Sequence, residues 1–209
     1  MTDLFGPFKI ILVMNYFSQL REHKINEHVA KIRHDWGESD AKRDEGKTTP
    51  DTILRFDNIL YATDDKWQIL DVYKPKNYEE KLPVIVNVHG GGWIYGTKEV
   101  YQFYCMSLAE KGFAVVNFNY HLAPENKYPS SLEDTNNVFK WILKNQEVYN
   151  FDCDNIFAVG DSAGANLLAL YAAVLTNNSL QKDYAFDFPQ ELKLKAIGLN
   201  CGKYNMRKF

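Results

Sequence analysis

Ser162 lies at the centre of residues 160–164, which read Gly-Asp-Ser-Ala-Gly. An apolar run, residues 155–159, precedes this segment, and an alanine-rich run, residues 163–175, overlaps its end. The pattern favours a sharp strand-to-helix turn, in which the two glycines let the backbone bend and let the helix approach the strand. The serine would then project at the carboxyl end of a strand, where it could act as a nucleophile. The alternative is a serine that only caps the helix.

A glycine run supplies the second element of this chemistry. Residues 89–93 read His-Gly-Gly-Gly-Trp and follow a short apolar run that ends at the sheet edge. Attack on a carbonyl needs donors for the oxygen that becomes charged, and backbone N–H groups of a glycine loop are suited to this role. The helix that begins at Ala163 adds its own N–H group and the positive end of its dipole. The alternative is that the glycine run is a flexible turn.

The general base is the element that the sequence does not place. All five histidines precede the serine in the chain: His23, His28, His34, His89 and His121. His121 follows a predicted strand and is either a base or, as we prefer, a polar residue that holds a loop. His89 is expected to anchor the glycine loop, and Asp161 is expected to orient the turn around Ser162.

The remaining pattern predicts the elements that position these residues. Helices are expected at residues 8–36, 101–111, 130–146 and 163–175, and strands at 53–61, 67–73, 84–89, 113–120, 155–159 and 192–200. Ser130 or Ser131, with Glu133, is expected to form a capping box at the third helix. The polar segment 37–50 reads as a solvated connection. Strands that alternate with helices predict an α/β protein with a mainly parallel sheet and helices on both faces.

Composition narrows the classes of protein to which the chain can belong. It has 209 residues, a net charge of −3 and a pI near 6.0, which gives no reason to expect a nucleic-acid partner. The apolar run at residues 10–14 is too short to span a bilayer and lacks the flanks of a signal peptide. Three widely spaced cysteines, Cys105, Cys153 and Cys201, are expected to be reduced thiols in a cytoplasmic protein.

Three motifs together resemble the hormone-sensitive-lipase-like carboxylesterase branch of the α/β-hydrolase superfamily. They are the glycine run, the segment 120–134 (Tyr-His-Leu-Ala-Pro-Glu, then Tyr-Pro-Ser-Ser-Leu-Glu-Asp) and the segment around Ser162. The resemblance covers about residues 52–202. It implies hydrolysis of small carboxylic esters through an acyl-enzyme, with no metal or organic cofactor. It further implies that Ser162 is the nucleophile and that Gly91, Gly92 and Ala163 supply the oxyanion-hole amides.

The resemblance also assigns a domain organisation. Residues 1–50 would be an N-terminal helical cap segment and linker, and residues 51–209 a partial catalytic domain with strands 1–6. Where this chain has His121, the family usually shows arginine.

The triad of such hydrolases runs in chain order serine, acid, histidine, with the acid after the seventh strand and the histidine after the eighth. Both strands are missing from the pattern. After Ser162 the only aspartates are Asp183 and Asp187, in a loop before the sixth strand, and no histidine follows. We therefore expect a truncated hydrolase without the triad acid and histidine. The alternative is a non-catalytic binding protein. The sixth strand, left at the edge, is expected to favour self-association.

Overall fold

The structure is a computed structural model that describes the backbone of residues 7–205 and the side chains of residues 18–205. The chain divides into two compact units between Glu45 and Gly46. The side chains of residues 10–14, on which the signal-peptide expectation rests, lie outside the described part. None of the described helices has the length and apolar character needed to cross a bilayer.

The first unit consists of helix α1 (Pro7–Asp44). The prediction of a loop was wrong for residues 37–44, which continue the helix. These residues lack an apolar stripe, but Arg43 forms an ion pair of 2.8 Å with Asp40, three residues earlier, and such pairs support a solvated helix. The helix ends just before Gly46, whose φ of +75° takes the backbone out of the helical region.

Six strands form one sheet in the order β1-β2-β4-β3-β5-β6. The strands are β1 (Ile53–Leu60), β2 (Ile69–Pro75), β3 (Leu82–Val88), β4 (Ala114–Phe118), β5 (Phe151–Asp161) and β6 (Leu194–Asn200). β2 pairs antiparallel with β1 and with β4, and the three remaining pairings are parallel. The prediction of a mainly parallel sheet is confirmed.

Helices cover both faces of this sheet. They are a 3₁₀ turn (Lys98–Tyr101), α2 (Gln102–Ala109), α3 (Ser130–Lys144), α4 (Gln146–Tyr149), α5 (Ala163–Leu175) and α6 (Asn178–Gln181). Alternate residues of β3 divide between two apolar clusters: Val84 and Val86 pack with α3 and α5, and Ile85 packs with α2. Since successive side chains of a strand point to opposite faces, the two clusters lie on opposite sides of the sheet.

The start of α3 differs from the predicted capping box. The N–H groups of Leu132 and Glu133 donate to the carbonyl of Pro129, at 2.9 and 3.0 Å, so the helix begins from Pro129. Ser130 consequently lies inside the first turn, where its hydroxyl donates to the carbonyl of Lys127 and caps no N–H group. The prediction of a serine cap was wrong because the proline carbonyl already starts the helix.

Candidate active site

Ser162 occupies the turn between β5 and α5, and its side chain is exposed. Its backbone has φ 51° and ψ −110°, a region that residues other than glycine rarely adopt. Two hydrogen bonds hold this conformation. The Ser162 N–H donates to the carbonyl of Asn200 in β6 at 2.8 Å, and the Ser162 carbonyl accepts from the N–H of Asn166 at 3.1 Å. The strained serine is thus held between the sheet and the helix.

The two glycines that flank Ser162 allow strand and helix to approach. A Cβ atom on Gly160 would lie 2.6 Å from the carbonyl oxygen of Gly164. A Cβ atom on Gly164 would lie 2.1 Å from the carbonyl oxygen of Val88 and 2.4 Å from that of His89. Both approaches are shorter than any side chain tolerates. The N-terminus of α5 therefore packs directly against the end of β3.

The glycine run leaves β3 beside this turn. Val88 is the register partner of Gly160 on the neighbouring parallel strand, so the residues that follow each strand emerge side by side. In this way the structure brings together the two segments that the sequence singled out, at the carboxyl ends of β3 and β5.

The glycine loop is a folded turn. Gly91 and Gly92 have φ angles of +119° and +62°, and Trp93 has a φ of 61°. The N–H groups of Ile94 and Tyr95 both donate to the carbonyl of Gly91, at 3.1 and 2.9 Å. These bonds turn the chain back on itself, which argues against the alternative of a flexible turn.

Three N–H groups near this end of the sheet have no acceptor among the residues that the structure describes. Those of Gly91 and Gly92 donate to no protein atom within residues 18–205. The N–H of Ala163 is the first of α5 and cannot have an acceptor inside the helix. Because they have no acceptor there, these amides are available for a ligand oxygen. They are the three amides that the family resemblance assigns to the oxyanion hole.

His89 anchors the loop, as the sequence predicted. Its ring stacks on Tyr120, with 4.1 Å between centroids, and its carbonyl accepts from the Tyr120 hydroxyl at 2.8 Å. Its Nδ1 lies 2.7 Å from the carbonyl oxygen of Gly90, which only accepts, so the proton resides on Nδ1. Burial lowers the pKa of His89 to about 4, and the ring is therefore neutral at pH 7.

Two carboxylates engage the ring of His121. Its Nδ1 and its backbone N–H both lie 2.7 Å from Oδ2 of Asp134, and its Nε2 lies 3.4 Å from Oδ2 of Asp64. Burial raises the pKa of Asp134, although hydrogen bonds from His121 and Gln68 oppose the shift. Because both ring nitrogens are engaged, this arrangement favours our interpretation that His121 holds a loop.

Asp161 is tied to the other side of the site. Its Oδ2 accepts from the hydroxyl of Tyr101 at 2.6 Å. The same hydroxyl would lie 2.9 Å from a Cβ atom on Gly90, so it sits against the glycine loop. Sequence reasoning missed Tyr101, because nothing in its neighbourhood marks it as different from a surface aromatic residue.

In the part of the chain whose side chains are described, no imidazole forms a hydrogen bond with Ser162 Oγ. Asp187, one of the two downstream aspartates, lies where its carbonyl accepts from Asn136 in α3. No set of three His, Cys, Asp or Glu side chains within residues 18–205 is arranged to hold a metal ion. The site as described therefore contains a serine and amide donors without a proton acceptor.

Comparison with known proteins gives a consistent picture. A family model named BD-FAE matches residues 70–209. A versiconal hemiacetal acetate esterase from Dothistroma septosporum is 38% identical over 113 residues, which cover 54% of this chain and 33% of that protein. A carboxylesterase from Mycobacterium tuberculosis is 34% identical over 130 residues, which cover 60% of this chain and 41% of that protein. The chain thus spans about a third to two fifths of the length of these relatives.

Solved structures show the same fold. Esterase B from Lactobacillus rhamnosis, crystallised with a tributyrin phosphonate inhibitor, aligns with a TM-score of 0.76 at 26% identity. The alignment covers 85% of this chain and 59% of the esterase. The predicted α/β-hydrolase fold is confirmed by this match.

Proposed function

Because the chain belongs to the BD-FAE family, among the hormone-sensitive-lipase-like carboxylesterases of the α/β-hydrolase superfamily, we propose that it is a serine hydrolase of small carboxylic esters. The observation that carries this proposal is the set of amides on Gly91, Gly92 and Ala163, which have no acceptor in the described part of the chain. They flank a serine whose strained turn leaves its side chain exposed. A serine that only caps a helix would need no such donors.

The proposed reaction has two steps. Ser162 Oγ attacks the ester carbonyl carbon as a base removes its proton, and the carbonyl oxygen becomes an oxyanion that accepts from the three amides. Collapse of this intermediate breaks the bond to the alcohol, which leaves with the proton, and the acyl group stays on Ser162. Water then attacks the acyl-enzyme in the same way and releases the acid. The base is drawn from outside residues 18–205.

A second candidate function follows from the same site. The absence of an imidazole bonded to Ser162, within the described side chains, favours a protein that binds an ester or acyl group and does not cleave it. A serine hydroxyl is a weak nucleophile without a base within hydrogen-bond reach. The glycine loop and the turn around Ser162 would then serve as a binding site for a carbonyl or carboxylate oxygen.

Hydrolysis of p-nitrophenyl esters separates the two functions. We expect residues 1–209 to hydrolyse a series of esters of increasing acyl length far more slowly than a protein in which a triad acid and histidine are supplied to the same residues. Release of p-nitrophenol is followed by its absorbance. If the protein with an acid and histidine supplied releases none above the buffer rate, the hydrolase function fails and the binding function is favoured.

We also propose that two copies associate through β6. This strand lies at one edge of the sheet, and Leu199 within it is 37% exposed. An unpaired edge presents free N–H and C=O groups that a second strand can satisfy. Ile197 of β6 lines a groove together with Leu175 and Leu192, and such a partner would cover it.

Replacement of Leu199 by lysine is expected to convert a dimer into a monomer, because a charge on an edge strand opposes pairing. The mass is measured by light scattering after size exclusion, over a range of concentrations. The matched control is Leu60→Lys on β1, at the other edge, where the leucine is 49% exposed and the dimer should persist. A wild-type chain that is monomeric at every concentration would exclude this association.

We also propose that the protein is cytoplasmic. Cys105 is buried, and neither Cys153 nor Cys201 is paired in a disulfide. Free thiols are usual in a reducing compartment, which supports this placement.

A further inference from the structure

A row of polar side chains crosses the interior of the sheet beneath the glycine loop. Asp71 on β2 is the register partner of Asn117 on β4, and Asn117 is the register partner of Asn87 on β3. Each of the three is at most 1% exposed. The Asn87 side-chain amide donates to Asn117 Oδ1 at 3.0 Å, which joins the middle and one end of the row. The row is costly to bury unless each group has a partner.

Lys98 directly follows the glycine loop (residues 89–97) and pairs with Asp71, at one end of the row. Its side chain is 2% exposed, and its Nζ lies 2.9 Å from Oδ1 of Asp71 and 2.5 Å from Oε1 of Glu99. Its backbone is held as well. The Lys98 N–H donates to Asn119 Oδ1 at 2.6 Å, and its carbonyl accepts from the Asn117 amide at 2.6 Å.

The ion pair is maintained against the cost of burial. Burial alone lowers the pKa of the Lys98 ammonium, but the carboxylates of Glu99 and Asp71 outweigh it, so the pKa lies above its ordinary value. Well-packed apolar side chains commonly stabilise a fold as well as a buried ion pair does. The pair is therefore better explained by what it positions than by the stability that it adds.

The same short turn reaches the nucleophile. Tyr101 ends the 3₁₀ turn that begins at Lys98, and its hydroxyl donates to Asp161, the residue before Ser162. Between the glycine run and this turn, Gly96 has a φ of +103°, and a Cβ atom there would lie 2.6 Å from the carbonyl oxygen of Gly90. The end of the loop therefore packs against its beginning at Gly90. Lys98 holds it to Asp71 of the sheet, and Tyr101 holds it to Asp161.

We propose that Lys98 is a positioning residue for the oxyanion hole: paired with Asp71, it fixes the far end of the glycine loop against the sheet. Tyr101, in the same turn, sets that loop against Asp161 and hence against the serine turn. The assignment of an oxyanion hole rests on the function proposed above, whereas the bracing of the loop does not. A loop that is held in place before substrate binds needs no reorganisation during the reaction.

The bracing is tested by hydrogen exchange on residues 1–209, which requires no catalytic activity. The double variant Lys98→Met with Asp71→Asn removes both charges of the buried pair, and the Glu99 carboxylate that also contacts Lys98 is 54% exposed and remains solvated. We expect amides within residues 89–97 to exchange at least about tenfold faster, while those of β3 and α5 stay within about twofold. The matched control is Lys81→Met, which breaks an exposed ion pair with Glu147 of 2.6 Å before β3 and should change neither region.

An unchanged exchange rate in residues 89–97 of the double variant overturns the proposal. If circular dichroism shows that this variant does not fold, Tyr101→Phe takes its place, since it removes one hydroxyl. The same acceleration in the loop is expected, and Tyr104→Phe, 41% exposed in α2, is its control.

A second measurement concerns the oxyanion hole itself. In the ester-hydrolysing protein, the double variant should lower kcat by about 10- to 100-fold and leave KM within about twofold, because the loop amides contact the oxyanion and not the bound ester. Because a smaller folded fraction would also lower the apparent kcat at unchanged KM, turnover is divided by the folded fraction measured by circular dichroism. If no wild-type form hydrolyses esters, the proposed function fails, and the exchange experiment still decides whether Lys98 braces the loop.

Discussion

Replacement of Ser162 by alanine is expected to lower the turnover of p-nitrophenyl esters by about 10⁴- to 10⁶-fold in the ester-hydrolysing protein. The hydroxyl oxygen is the atom that forms the acyl-enzyme, so its removal leaves only the amide donors to act on the carbonyl. Those donors alone give a small residual acceleration over water. Turnover is measured under saturating ester, and circular dichroism confirms that the variant is folded.

Ser107→Ala is the matched control for this prediction. Ser107 is exposed on α2, and its hydroxyl donates to the carbonyl of Tyr104 in its own helix. Turnover by this variant should stay within about twofold of wild type, since surface substitutions away from special features are nearly neutral. A fall of less than tenfold in Ser162→Ala would show that another group is the nucleophile.

Replacement of Gly164 by alanine is expected to destabilise the second unit by at least about 3 kcal/mol. The added methyl group would lie 2.1 Å from the Val88 carbonyl oxygen and 2.4 Å from that of His89. Val88 is the last residue of β3 and pairs with Gly160 in β5, and His89 follows it directly, so these backbone atoms cannot move away without loss of strand pairing. The free energy of unfolding is measured by urea denaturation of residues 1–209.

Gly198→Ala, on β6 in the same sheet, is the control for this second prediction. A Cβ atom there would meet a methyl carbon of the Val159 side chain at 3.2 Å, and it would meet no backbone atom that closely. Its free energy of unfolding should stay within about 1 kcal/mol of wild type. Equal losses in the two variants would contradict the close packing of α5 against β3.

The turn around Ser162 could be predicted from the sequence because its signals are local. Apolar residues, two glycines and an alanine-rich run follow one another within about twenty residues, and α5 begins and ends where that pattern does. The continuation of α1 to Asp44 could not be predicted from apolar periodicity, since charge pairs such as Arg43 with Asp40 maintain it. The start of α3 depends on the Pro129 carbonyl, which the capping pattern does not take into account.

The bracing of the glycine loop was missed because its partners are distant along the chain. Lys98 sits in a charged segment and reads as a surface residue, while Asp71 lies on another strand. One signal was present in the sequence. Asn87 and Asn117 each interrupt an apolar strand, and a polar residue in a buried strand indicates a buried partner.

The role of His121 illustrates a different limit. Its position at the carboxyl end of a strand is compatible with a base, and the sequence alone left that alternative open. The structure places Asp134 of α3 against Nδ1 and Asp64 of the β1–β2 loop near Nε2. His121 therefore links this loop to α3. Pairings of this kind depend on the folded arrangement of three separate segments, which no local pattern encodes.

In the proposed function Ser162 is positioned as the nucleophile, while no imidazole among the side chains of residues 18–205 bonds to its hydroxyl. The most direct test is the site and rate of modification of residues 1–209 by a fluorophosphonate, followed by mass spectrometry of peptides, with and without added imidazole. We predict an adduct on Ser162 only, which forms slowly alone and faster in proportion to imidazole, since the exposed serine admits a small base from solution. Rapid modification without imidazole, or an adduct on another residue, would contradict the account.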